Sequence, residues 1–197
     1  MAGGYGNVGA NLRVFRNFSR DVKSFVGERD GQMIIDKFKG IQETSESFYF
    51  AYVVDSDVHL TKLFWADAIG RRNFELYGDA VSFDATFNTN KYNMIFAPFT
   101  VLDKHDKCVT FAACLLSHEN IVDYTWASNH FVKAMGRNPV VILTDRCPSM
   151  KVAVHNSFPD KNGLIASKHR LCMWQIMQKI PIKLGNHLCK ETELWRK

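Results

Sequence analysis

The chain has 197 residues, which suits one domain with a flanking segment, and its 46% apolar content can fill a core. Aromatic residues make up 13%, including 15 Phe, which excludes an intrinsically disordered chain. The formal net charge of +5 (pI about 8.9) is mildly basic, which a nucleic-acid partner would favour, although from charge alone plain solubility is the first explanation.

Residues 1–32 read as a polar, glycine-containing lead-in, basic through Arg13, Arg16, Arg20 and Lys23. A short helix is expected around Met33–Phe38. Phe48–Val54 is aromatic and β-branched and ends at Asp55-Ser56-Asp57, which predicts a strand and a turn. His59–Asn73 fits neither the helical nor the strand period. Val81, Phe83, Ala85 and Phe87 alternate with Ser82, Asp84 and Thr86, which predicts a strand with one buried face. Met94–Leu102 and Cys108–Leu116 are apolar runs split by the polar stretch Asp103–Lys107, so they read as a hairpin. Pro98 suits an edge position or a bulge in the first of them.

A helix is expected after Asn120 as N-cap, with Asp123 in its first turn and Gly136 as its stop. Tyr124, Ala127, Phe131 and Ala134 share its apolar face. Val140–Leu143 then reads as a strand buried on both faces, as in a parallel sheet, and it ends in Thr144-Asp145. Pro148 starts a helix with Met150, Ala153, Val154, Ser157 and Phe158 on one face. Leu164–Ala166 is a candidate short strand, and Leu171–Ile180 a helix stopped by Pro181. From residue 79 the order is three strands, helix, strand, helix, short strand, helix, an α/β arrangement with a mixed sheet flanked by helices.

The five cysteines (Cys108, Cys114, Cys147, Cys172 and Cys189) are odd in number and irregularly spaced, so they suggest a reducing compartment rather than a disulfide framework. No apolar run approaches the ~20 residues of a membrane span, so no membrane partner is expected. The glycine-rich start lacks a signal-peptide hydrophobic region. Cytosol or nucleus is therefore expected.

Asp84 and Asp145 are the candidate chemical residues. Functional groups in open α/β sheets gather at the carboxyl ends of strands. If the two strands are neighbours, the carboxylates meet there, and such a pair holds Mg²⁺, alone or as the two-ion clamp of phosphodiester cleavage. Either Asp alone reads first as a turn former or a helix cap.

Longer motifs carry a resemblance. Phe64-Trp65-Ala66-Asp67, Tyr77-Gly78-Asp79-Ala80-Val81-Ser82-Phe83-Asp84-Ala85-Thr86-Phe87-Asn88-Thr89-Asn90-Lys91-Tyr92, Ala97-Pro98-Phe99, Ala134-Met135-Gly136, Leu143-Thr144-Asp145 and His169-Arg170-Leu171-Cys172-Met173-Trp174 occur in order. From about residue 33 to about 180 the chain resembles the far-red-impaired-response family, whose members look like domesticated Mutator-like transposases of plants. The resemblance implies a ribonuclease H-like core over 79–180, preceded by an N-terminal part at 33–78. Residues 181–197 would begin a helical insertion that is cut short. It also implies a nuclear regulator of transcription, with DNA, nuclear regulatory proteins and other family members as partners. Asp84 and Asp145 match the first two acids of the transposase triad.

Three departures accompany it. The third acid is expected further downstream, and Glu191 and Glu193 come too early. The family's second member of a Cys-x-x-His pair is Gln175 here. The family's zinc-binding DNA-recognition and SWIM modules, which account for its zinc, are not found. A non-catalytic regulator is thus the first expectation, and a catalytic transposase or nuclease core is the alternative. His169, Cys172, His187 and Cys189 are the one candidate zinc set, of which only His169 and Cys172 have usable spacing; a buried thiol and two surface histidines are the favoured explanation. Lys168, Arg170, Lys179, Lys183, Lys190, Arg196 and Lys197 thicken the charge near the end, either as a solvated face or along a phosphate backbone.

Overall fold

The computed structural model describes residues 30–85, 94–102, 107–159 and 165–173. Within them the chain runs α1 (Asp30–Thr44), β1 (Tyr49–Val54), β2 (Leu60–Ala66), α2 (Ala68–Tyr77), β3 (Ala80–Phe83), β4 (Ile95–Leu102), β5 (Cys108–Leu116), α3 (Ile121–Met135), β6 (Val141–Thr144), α4 (Pro148–Ser157) and β7 (Lys168–Leu171). The strands form one sheet in the order β1-β2-β5-β4-β3-β6-β7. Neighbours pair antiparallel from β1 as far as β3, and β3-β6 and β6-β7 pair parallel. This is the mixed α/β sheet expected of a ribonuclease H-like fold.

Alternation along the central strands explains the three layers. Leu63 and Trp65 of β2, Phe96 of β4 and Ala113 and Leu115 of β5 meet Ile34 and Phe38 of α1 on one face. Phe64 and Ala66, Ala97 and Phe99, and Cys114 and Leu116 point to the other face. There they meet Phe74 of α2, Tyr124 and Phe131 of α3, and Met150 of α4. Phe83, Phe99 and Phe131 stack with ring centroids 4.2 and 4.3 Å apart, tying β3, β4 and α3 together.

Local chemistry sets the ends of the helices. The Asn120 carboxamide accepts from the Asp123 amide at 2.7 Å, and Gly136 closes α3 in the left-handed conformation at φ 75°. Pro148 opens α4. The ambiguous stretch 59–73 holds a strand and a helix back to back. Asp67 divides them, its carboxylate accepting from the Gly70 amide at 2.6 Å.

Several boundaries differ from expectation. α1 is longer than Met33–Phe38 at both ends. β3 stops at Phe83, so Asp84 lies one residue beyond the strand rather than inside it. β6 is parallel as expected, but only Ile142 and Thr144 are buried, because the other face of this half of the sheet is only partly covered. The last strand among the described residues is Lys168–Leu171; Ile165 and Ala166 lie outside any strand, with Ile165 84% exposed, Leu164 is outside the described residues, and Leu171 belongs to β7 rather than to a helix. Pro98 sits inside β4 beside the register shift at Phe99/Thr100, where the β3 ladder has already ended. Both settings spare an N–H partner, which explains how an interior strand holds a proline.

Candidate functional site

The strand register decides where the acids fall. β3 and β6 pair in parallel, with Phe83 opposite Thr144 as the last pair. Asp84 and Asp145 are the next residue on each chain, so they leave the same end of adjacent strands, which lie ~4.8 Å apart. Here too the strand order reverses, since the chain passes from β3 to β4 on one side and later crosses to β6 on the other. Such switch points are where α/β sheets bind ligands.

Both aspartates are half-buried. The Asp145 carboxylate also shapes the turn into α4, accepting from the Cys147 amide at 2.8 Å. The turn-forming role and a place at the sheet end therefore coexist in one residue. As a donor set, two carboxylates offer the hard oxygens that Mg²⁺ takes, with water filling its remaining positions. The residue types fit that ion, and Asp84 and Asp145 are the side chains that would hold it.

Residues that sequence reasoning did not single out complete this corner. The buried Tyr124 of α3 packs edge-on against Phe83 (5.9 Å, 88°), and its hydroxyl donates to Glu119 at 2.9 Å. Burial pushes the Tyr124 phenol well up, followed by the hydrogen bond and charge of Glu119 and then by Cys147 and Asp145. Tyr124 is thus a neutral donor lodged among these groups. Glu119 follows β5, whose carboxyl end lies on the same side of the sheet as those of β3 and β6. The signal for Tyr124 was in its phenol, a polar tip at a core position of an apolar face.

His169 pairs in register with Ile142, and its Nε2 is hydrogen-bonded to the Thr144 hydroxyl at 2.8 Å. That hydroxyl in turn donates to the Asp145 carbonyl at 2.9 Å. Burial lowers the His169 pKa, and Lys151 and Arg170 lower it further. Cys172 is a half-buried free thiol whose amide donates to the Thr144 carbonyl at 2.8 Å. Among the described residues neither His169 nor Cys172 belongs to a group of three metal-ligand side chains. The one such group, Asp55, Asp57 and His59, is exposed in the β1–β2 turn. A carboxylate of that group closes the turn, with Asp55 Oδ1 accepting from the amides of Asp57 and His59. The expectations placed on Gln175, His187, Cys189, Glu191 and Glu193, and on the basic residues from Lys179 onward, lie outside the described residues.

Residues 80–179, which contain this sheet end, match the model of the MULE transposase domain. The chain belongs to that family. Curated relatives of this MULE domain protein come from Arabidopsis thaliana. It is 29% identical to Protein FAR1-RELATED SEQUENCE 5 over 189 residues, covering 95% of this chain and 23% of the relative. It is also 29% identical to Protein FAR-RED IMPAIRED RESPONSE 1 over 196 residues, covering 98% and 23%. Protein FAR1-RELATED SEQUENCE 6 is 30% identical over 156 residues, covering 79% and 21%. The chain therefore spans less than a quarter of the length of each of these relatives. No solved structure matches the chain.

Proposed function

We propose that this MULE domain is the core of a plant nuclear transcription regulator descended from a transposase. In this reading it uses the fold to engage DNA and regulatory proteins rather than to cut DNA. The likeness to FAR1-related proteins along nearly the whole chain supports it. The observation that carries it is the double use of Asp145. One of its carboxylate oxygens closes the turn into α4, so the residue has a reason to stay without any reaction at the sheet end.

The placement of Asp84 and Asp145 directly after the last β3–β6 pair favours a second reading, a catalytic core using divalent-metal phosphodiester chemistry. A bound Mg²⁺ would supply Lewis-acid activation of a water and of the scissile phosphate. The role of the chain's own residues would be to hold the ion through Asp84 and Asp145.

Supercoiled DNA incubated with the purified protein and Mg²⁺ or Mn²⁺ separates the two readings. The regulator reading expects DNA retention without nicking. Nicking that disappears in Asp84→Asn would replace it with the catalytic one. Metal titration followed by calorimetry asks whether the acidic pair still binds an ion. Binding heat that vanishes in both Asp84→Asn and Asp145→Asn would show a surviving site.

A further inference from the structure

We propose that the β7 edge and the adjoining start of α4 form a seat for the phosphodiester backbone of duplex DNA, made by Arg146, Lys151, Lys168 and Arg170. The proposal rests on the reading that this core works on DNA, and it assigns the surface that does so.

Charge is the first ground. The described residues 146–159 and 165–173 hold these four cations and no carboxylate. All four are exposed, and none has an ion-pair partner among the described residues. The helix packed over the other half of the sheet differs, since α1 and the turn after it mix Lys37 and Lys39 with Asp36, Glu43 and Glu46.

Position is the second ground. Among the described residues β7 is an outermost strand, with only β6 beside it. Lys168 and Arg170 are two residues apart on it, which puts them ~7 Å apart on one side of the strand. Arg170 pairs in register with Leu143, two residues before Asp145, and Arg146 directly follows Asp145. Lys151, on the first turns of α4, bears with Arg170 on the His169 ring, and that ring is bonded to Thr144. The cations thus line the exposed β7 edge from both faces of the sheet, with Lys168 toward its amino end and Arg146 and Arg170 toward its carboxyl end.

Two plainer explanations cover only part of this. Cations on an edge strand block unwanted strand addition, which accounts for Lys168 and Arg170 but not for Arg146 or Lys151. Solvation alone accounts for scattered charges, whereas Lys168 and Arg170, side by side on β7, repel one another until a counter-charge arrives. Duplex DNA supplies one negative charge per ~1.7 Å of its axis, so it can meet several of these cations at once. An acidic peptide offers only discrete carboxylates.

The test is fluorescence anisotropy of the full chain with a labelled duplex of mixed sequence, repeated over a range of KCl concentrations. Removing one cation that neutralises a phosphate should flatten the slope of log K against log salt by about 0.9, so Lys168→Ala/Arg170→Ala should flatten it by about 2. Lys37→Ala/Lys133→Ala, away from this flank, should leave the slope as it is. Charge-conserving Lys168→Arg/Arg170→Lys should keep the slope, which guards against a folding artefact. DNA binding with an unchanged slope in the alanine pair would overturn the assignment of this surface and leave the DNA reading standing. Failure of the unaltered chain to bind duplex at low salt would overturn both. Equal dependence of poly-glutamate binding on Lys168 and Arg170 would reassign the surface to acidic proteins and overturn the proposal.

Discussion

Gly70 offers a test in which helix propensity and packing predict opposite signs. It lies in the first turn of α2 and is buried. Alanine in a helix is ordinarily worth about 1 kcal/mol over glycine. A Cβ on Gly70, however, would overlap the Phe111 carbonyl oxygen of β5 and lie 3.1 Å from Asp67 Oδ1, the atom that caps the helix. The Phe111 carbonyl is backbone in the middle of the sheet, so relief requires α2 to lift away. Overpacking of this kind costs about 1–3 kcal/mol, and loss of the Asp67 cap about 1 more. Set against the propensity gain, Gly70→Ala should destabilise the fold by about 1–3 kcal/mol, a Tm fall of roughly 5 °C for a domain of this size. Gly40 is the control. It is exposed in the middle of α1 with nothing within 4 Å of an added Cβ, so Gly40→Ala should stabilise by up to about 1 kcal/mol. Urea denaturation of both variants measures the two signs. A Gly70→Ala protein as stable as the unaltered chain would refute the close approach of α2 to β5.

Asp123 is buried at the start of α3, with Lys62 Nζ 2.7 Å from its Oδ1 and the His118 amide donating to Oδ2 at 3.2 Å. Asp123→Ala should cost about 3–5 kcal/mol because it strands the Lys62 ammonium, whereas Asp123→Leu/Lys62→Met should cost less; denaturant midpoints decide between them. Phe99→Ala removes the middle ring of the three-ring stack and should cost about 3–5 kcal/mol by the same measurement. Burial lowers the pKa of His130 and of His169, so the unfolded chain takes up protons first as pH falls through about 6.5. Stability should therefore drop between pH 7 and pH 5, and His130→Gln/His169→Gln should flatten that drop in melts taken across the range.

The parts of the fold legible in the sequence were those set by one residue or by one period. Asn120, Gly136 and Pro148 mark their helix ends through side-chain or backbone chemistry that acts locally. The stretch 59–73 was opaque because a single window spans strand and helix periods, and Asp67 with the Gly70 amide was the boundary signal to look for. β7 was misplaced because an edge strand with only His169 half-buried lacks the apolar run that marks interior strands. The apolar Ile165 nearby drew the assignment although it lies in solvent. Asp84 and Asp145 were readable as candidates from their positions at strand ends. Their exit from the same end of adjacent strands was not, because it depends on the parallel register of β3 and β6, which no local pattern encodes. Tyr124 and Glu119 were hidden for a related reason, since a phenol on an apolar helix face looks like core until the neighbours of its hydroxyl are known.

The stacked rings of Phe83, Phe99 and Phe131 also bear on how the interior moves. All three side chains are fully enclosed, and the ring planes lie within 7° and 18° of parallel. An enclosed ring can turn over only when its neighbours part, because a close-packed interior holds no spare volume. Phe99 has a neighbour on each side, so its half-turn requires β3 and α3 to give way in the same event. Its flipping rate is therefore a clock for the breathing of the sheet against its helical cover. In NMR spectra, slow exchange between the two edges of the Phe99 ring would time that opening directly, and a ligand that clamps the carboxyl ends of β3 and β6 should slow it.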